Sequence, residues 1–221
     1  DAFEFELTSE NNAPMPESAT EPVTVSVTND DPNEGKAAIN FGTIEYKAPG
    51  TYVYKVSEKN AGTTVDGVAY SKNVAKITVT VTPNKKGELS AVVQVTSGET
   101  EFKNVYTAEP VESSVTDKID VTKSLTGRDL AAGEFSFELL EVVGKEDKPV
   151  ETVVNAADGK VTFSPIRYTK IGQHTYKLRE VKGNAGGIAY DETVYTIVTT
   201  ISDNGKGQLV ATHELEGAED V

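Results

Sequence analysis

The chain has 221 residues, 21 Lys and Arg against 35 Asp and Glu for a formal net charge of −14, 37% hydrophobic residues, and neither Cys nor Trp. That length holds one or two domains of ordinary size; the acidic balance argues against nucleic acid and anionic membrane surfaces as partners, and the lack of cysteine excludes disulfides and thiolate metal sites. With no run of about 18 apolar residues and no basic-then-apolar start, neither a membrane span nor a secretion signal is expected, and the strand-like pattern already under way at Asp1 reads as part of a longer protein.

Val (28) and Thr (26) dominate the composition, and β-branched side chains favour the pleated, half-buried surface of a sheet. In chain order, alternating runs predict strands at Phe3–Leu7, Val23–Val27, Ile39–Tyr46, Thr51–Glu58, Val74–Val81 and Leu89–Val95. Turn clusters separate them at Asp30-Asp31-Pro32-Asn33, Ala48-Pro49-Gly50 and Asn84-Lys85-Lys86-Gly87. No segment sustains a 3.6-residue apolar period, so the expected fold is all-β, and strands at this spacing read as a β-sandwich.

The pattern then recurs. Phe3-Glu4-Phe5-Glu6-Leu7 returns 132 positions later as Phe135-Ser136-Phe137-Glu138-Leu139, and Tyr54-Lys55-Val56-Ser57-Glu58 returns 122 later as Tyr176-Lys177-Leu178-Arg179-Glu180. Val68-Ala69-Tyr70 and Gly87-Glu88-Leu89 return 120 later as Ile188-Ala189-Tyr190 and Gly207-Gln208-Leu209. A period this long is domain-sized and predicts two tandem domains, 1–110 and 117–221, joined by a linker at Thr107–Asp117. The strand Ile119–Gly127 leads the second copy without a counterpart ahead of Asp1, and Phe102–Tyr106 closes the first with a counterpart that falls beyond Val221. Domain one is therefore expected to lack its first strand and domain two its last.

Residues two apart in a strand share a face, which exposes polar intruders on apolar faces. Glu58 continues the set Tyr52, Tyr54, Val56, and Glu180 continues His174, Tyr176, Leu178. Asn104 lies between Phe102 and Tyr106, and Lys123 among Ile119, Val121 and Leu125. Burying such groups unpaired costs several kcal/mol, so they must satisfy one another or react. Removal from water favours the neutral, nucleophilic amine and the protonated carboxyl. Those are the forms needed for an amine to attack an amide carbonyl while a carboxyl shuttles protons and polarises that carbonyl, with ammonia leaving. Juxtaposition in a dry core supplies the effective concentration, so no cofactor is expected.

These residues also carry a resemblance. Lys123-Ser124-Leu125-Thr126-Gly127-Arg128-Asp129-Leu130 followed by Phe135–Leu139, the block ending in Glu180, and the closing Phe102-Lys103-Asn104-Val105-Tyr106 resemble the isopeptide-linkage domain of streptococcal-type major pilins and related Gram-positive surface proteins. The resemblance spans nearly the whole chain as two copies. It implies two tandem immunoglobulin-like β-sandwich domains in which a first-strand Lys bonds to a last-strand Asn beside a catalytic Glu. By motif, Glu58 and Asn104 belong to domain one, Lys123 and Glu180 to domain two. It further implies an extracellular pilus backbone or adhesin stalk, anchored to the cell wall or built into a pilus, whose partners are neighbouring domains or subunits of the same fibre.

Taken singly, each glutamate could be a strand-end carboxylate that has left the core, Asn104 a turn or capping amide, and Lys123 a snorkelling amine. Their joint occurrence at the two places a clasp needs favours the chemistry. Asn29–Glu34 carries oxygen ligands without the spacing of a calcium loop and reads as a solvated turn; Asp203–Gly207 reads as a hairpin turn. His174 and His213 are too few and too separated for a metal or hydrolase site. With no phosphate loop or nucleophile elbow, substrate turnover is not expected. The alternative function is an adhesive binding module for a host protein or glycan, which an exposed apolar patch on a strand face would favour.

Overall fold

The computed structural model describes residues 2–16, 20–28 and 35–216, with no helix among them. The chain divides into two compact units, residues 1–107 and 108–221.

The first unit contains β1 (Ala2–Glu10), β2 (Val23–Thr28), β3 (Gly50–Glu58), β4 (Thr64–Val65), β5 (Val68–Ala69), β6 (Val74–Pro83), β7 (Leu89–Ser97) and β8 (Val105–Tyr106). One antiparallel sheet runs β2-β1-β3-β6-β7, and a smaller one β4-β5-β8. The two-residue alternation puts Phe5 and Leu7 of β1, Tyr54 and Val56 of β3, and Ala75, Val79 and Val81 of β6 on the buried face. Phe102, just ahead of β8, packs against this core.

The second unit contains β9 (Val111–Ser113), β10 (Ser136–Val143), β11 (Glu146–Val154), β12 (Ile166–Tyr168), β13 (Gly172–Glu180), β14 (Val194–Asp203) and β15 (Leu209–Leu215). Its large sheet runs β11-β10-β13-β14-β15, the same order as the first unit's, and β9 pairs with β12 in a two-stranded sheet. The two sheets share one core, with Phe137, Leu139, Tyr176, Leu178 and Ile197 from the large sheet meeting Tyr168, Val161, Phe163 and Val115. Each unit is thus an antiparallel, immunoglobulin-like β-sandwich, and the fold is all-β in two tandem domains.

Five of the six strands expected in the first copy are present. Ile39–Tyr46 is not a strand: Gly42 takes a left-handed φ of 90°, so the alternation slips, and Phe41, Ile44 and Tyr46 pack on the core as extended chain without a ladder. Thr107–Asp117 is not a linker. Val111–Ser113 is β9, Val115 is fully buried, and Ser114 Oγ donates to the Phe163 carbonyl at 2.8 Å; the Pro and Ser residues that signalled a linker serve a buried turn. Ile119–Gly127 keeps its predicted facing, with Ile119, Val121, Lys123 and Leu125 partly buried and their neighbours exposed, but makes only a single antiparallel bridge, Thr122 to Lys160. The hairpin turn at Asp203–Gly207 is present, held by Asp203 and Asn204 side chains accepting from Gly205 and Lys206 N–H groups. Asp30–Asn33 and the wider Asn29–Glu34 segment lie outside the described residues.

Candidate functional site: a buried glutamate in each unit

Each large sheet ends its central strand on a glutamate that faces the core. Glu58, the last residue of β3, pairs with Phe5 of β1, and Glu180, the last of β13, pairs with Phe137 of β10. They are 2% and 8% exposed. The alternation that buries Tyr54 and Val56, or Tyr176 and Leu178, carries both carboxyl groups inward with it.

In the first unit β8 lies beside β5, with Ala69 opposite Val105, and this brings Asn104 to Glu58. Asn104 Nδ2 donates to Glu58 Oε1 at 2.6 Å, and the Ser71 backbone N–H donates to Asn104 Oδ1 at 2.7 Å. Edge-on aromatic pairs wall the site: Phe5 with Phe102 at 5.2 Å and Phe3 with Tyr70 at 5.9 Å between centroids. Tyr106, expected to share the apolar face with Asn104, is 45% exposed.

In the second unit Lys123 Nζ lies 2.8 Å from Glu180 Oε2, with 11% of the lysine side chain exposed, and 4.3 Å from the centroid of the Phe135 ring, as a cation–π contact. The Asp191 N–H donates to the same carboxylate oxygen at 3.0 Å. Phe135 and Tyr190 pair edge-on at 5.8 Å, repeating Phe3 and Tyr70. Lys123 lines a cleft of ≈ 410 Å³ with Glu180, Tyr190 and Asp191.

The two units hold complementary halves of one arrangement, amide on carboxyl in the first and amine on carboxyl in the second. Among the described residues, two buried side-chain polar atoms have no hydrogen-bond partner, Glu58 Oε2 and Glu180 Oε1. A buried unsatisfied oxygen costs on the order of 1–3 kcal/mol, and these two are the second oxygens of the two glutamates. Glu58 meets the Asn104 amide at its nitrogen, and the Ser71 backbone N–H holds the amide oxygen.

The histidines lie elsewhere. His174 Nδ1 is 2.9 Å from Glu141 Oε1, and His213 stands between Ser113 and Thr199. No group of three or more His, Cys, Asp or Glu side chains that could hold a metal occurs among the described residues. What sequence reasoning missed at the site is backbone: the Ser71 and Asp191 N–H groups, which follow the repeated Ala-Tyr pair, carry no side-chain signal.

Tandem antiparallel sandwiches, each with a buried carboxyl gripping one member of an amine and amide pair, define the class of isopeptide-type structural domains. A family model for FctA, the Spy0128-like isopeptide containing domain, matches residues 1–107 and 119–221. The chain belongs to this family, as two tandem copies. No curated protein matches it individually. The family is one of pilin-type structural domains of Gram-positive surface pili, which makes the protein extracellular, with subunits of the same fibre as partners.

Proposed function

We propose that the chain is a load-bearing segment of a pilus backbone or adhesin stalk, each unit closed by an intramolecular Lys–Asn isopeptide, with Glu58 and Glu180 as proton carriers, Asn104 as the acceptor amide of the first unit and Lys123 as the amine of the second. One observation carries the reading: each glutamate has one oxygen on one member of the pair and the other oxygen unpartnered. A single carboxyl spanning amine and amide performs the whole reaction. One Nζ proton passes to the carboxylate, and the freed lone pair forms the C–N bond at Asn Cγ. The carboxyl gives its proton to Nδ2 as the C–Nδ2 bond breaks and ammonia leaves, then takes the surplus proton from the attacking nitrogen. Confinement supplies the rate, and the product ties the first strand to the last, so tension at the chain ends cannot unzip the sandwich.

The test uses the chain's own repeat. Copies of residues 108–132 placed ahead of residue 1, and of residues 102–107 placed after residue 221, give each unit both partners at the positions set by the 132- and 120-residue offsets. The extended chain is expected to weigh about 34 Da less than its sequence, about 17 Da of ammonia for each amide formed. Glu58→Gln and Glu180→Gln should each restore one loss, because the isostere keeps the shape and cannot carry the proton. Full sequence mass in the folded extended chain overturns the clasp.

An apolar edge in the first unit bears on the binding-module reading: Leu89, Val93 and Val95 of β7 are 39%, 65% and 44% exposed. Their second-unit counterparts include Leu209 and His213, 4% and 8% exposed on β15, where β9 packs across that strand. The patch therefore matches a core face that the second unit covers with its own chain, and the stalk reading stands first.

A further inference from the structure

We propose that the backbone N–H of Ser71, and of Asp191 in the second unit, is the oxyanion donor of amide formation. The inference rests on the clasp reading and adds a catalytic group to it.

The orientation of the Asn104 amide is fixed by its neighbours. A backbone N–H can only donate, so the atom 2.7 Å from Ser71 N is the carbonyl oxygen, and the nitrogen faces Glu58 at 2.6 Å. When an amine attacks Cγ, the C=O π pair moves to Oδ1 and negative charge develops on the atom that Ser71 already holds. A fixed donor at that distance, in a site walled by Phe3, Phe5, Phe102 and Tyr70, stabilises the growing charge more than the ground-state carbonyl, which is the condition for catalysis. The carboxyl, on the nitrogen side, is left free for proton transfer.

The donor reaches the site with or without an amide. Among the described residues of the second unit no amide meets Lys123, and there the Asp191 N–H rests on the glutamate itself, 3.0 Å from Glu180 Oε2. In the first unit the loop is braced from outside the site: Asn73 Oδ1 accepts from Glu99 N at 3.0 Å and Asn73 Nδ2 donates to the Glu99 carbonyl at 2.7 Å, while Ser71 Oγ accepts from Asn73 N at 3.2 Å. The side chain changes from Ser to Asp between copies, whereas in both an N–H at this position donates into the site.

The experiment replaces one atom. In the extended chain described above, Ser71 is exchanged for its α-hydroxy acid, which turns the N–H into an ester oxygen, and the loss of about 17 Da is followed after refolding from urea. The ester chain is expected to close its first unit about 100-fold more slowly, whereas the same exchange at Lys85, in the exposed turn between β6 and β7, stays within about threefold of the parent. Equal rates for the Ser71 ester and the parent, or a Lys85 ester as slow as the Ser71 ester, overturn the inference while leaving the clasp intact. A parent that shows no mass loss removes the clasp and this inference together. If the ester chain does not regain its near-ultraviolet dichroism, the unaltered 221-residue chain decides: a scalar coupling across the hydrogen bond between Ser71 ¹⁵N and Asn104 ¹³Cγ supports the donor, and its absence overturns it.

Discussion

His213 of β15 sits in a buried polar chain that the first unit lacks. Ser113 Oγ donates to Asp117 Oδ2 at 2.9 Å, so the 2.7 Å contact with His213 Nε2 uses the ring's hydrogen. Nδ1 is then the acceptor for Thr199 Oγ1 at 2.8 Å. The positions 120 residues earlier are Val93 and Val79. Burial lowers the His213 pKa below its ordinary value, with Asp117 pulling weakly the other way. A depressed folded pKa means that the unfolded chain binds the proton first. This residue's contribution is therefore complete above about pH 6.5 and is lost as pH falls through the folded value. The second unit should lose up to about 1.4 kcal/mol per pH unit from this source as it is acidified below that point. Urea unfolding between pH 7.5 and 5 should show a shallower slope for His213→Gln, and identical slopes would show that the ring does not titrate with unfolding.

At the scale of elements, the short turn at residues 155–160 holds the lysine segment in place. Gly159 accepts from the Lys123 N–H at 2.8 Å, and Val161 N donates to the Val121 carbonyl at 2.9 Å. Gly159 has φ +87°, and a Cβ there would stand 2.3 Å from the Lys123 carbonyl oxygen. Asn155 braces the same turn, accepting from Phe135 N at 2.8 Å and donating to the Ala131 carbonyl at 2.8 Å, so the ring beneath Lys123 and the lysine backbone share one support. Gly159→Ala combines left-handed strain with a backbone clash and should cost the second unit about 2 kcal/mol. It should also raise amide exchange at Lys123 and Val161 above that of the β13 amides; unchanged exchange at those two positions would show that the segment is held by other contacts.

At the scale of the molecule, the boundary between the units belongs at residue 107 and not within the Pro- and Ser-containing stretch that follows it. β9, the buried Val115, and Gln208 Nε2 donating to the Glu109 and Pro110 carbonyls all tie residues 109–115 into the second sandwich. A piece spanning 108–221 should therefore unfold at higher urea than one spanning 117–221, by about 3 kcal/mol or more, since the shorter piece loses Val115 and uncovers Leu209 and His213. Equal midpoints would return residues 108–116 to the status of linker.

The repeat, the period-two alternation and the place where each alternation runs onto a glutamate were legible in the sequence, because a strand side chain's facing follows from position alone. Glu58, Glu180 and Lys123 were readable for that reason, each lying on an unbroken apolar face. Where backbone departs from a ladder, the signal fails: at Gly42 the alternation slips, and at Pro110–Ser114 polar residues that mimic a linker are satisfied inside a core. Only the tertiary structure decided which atoms meet. The pairing of β5 with β8 sets Ser71 N–H on the Asn104 oxygen and leaves the Glu58 carboxyl on the nitrogen. No residue type encodes that choice, because one of the two partners is a main-chain group that every residue but proline carries.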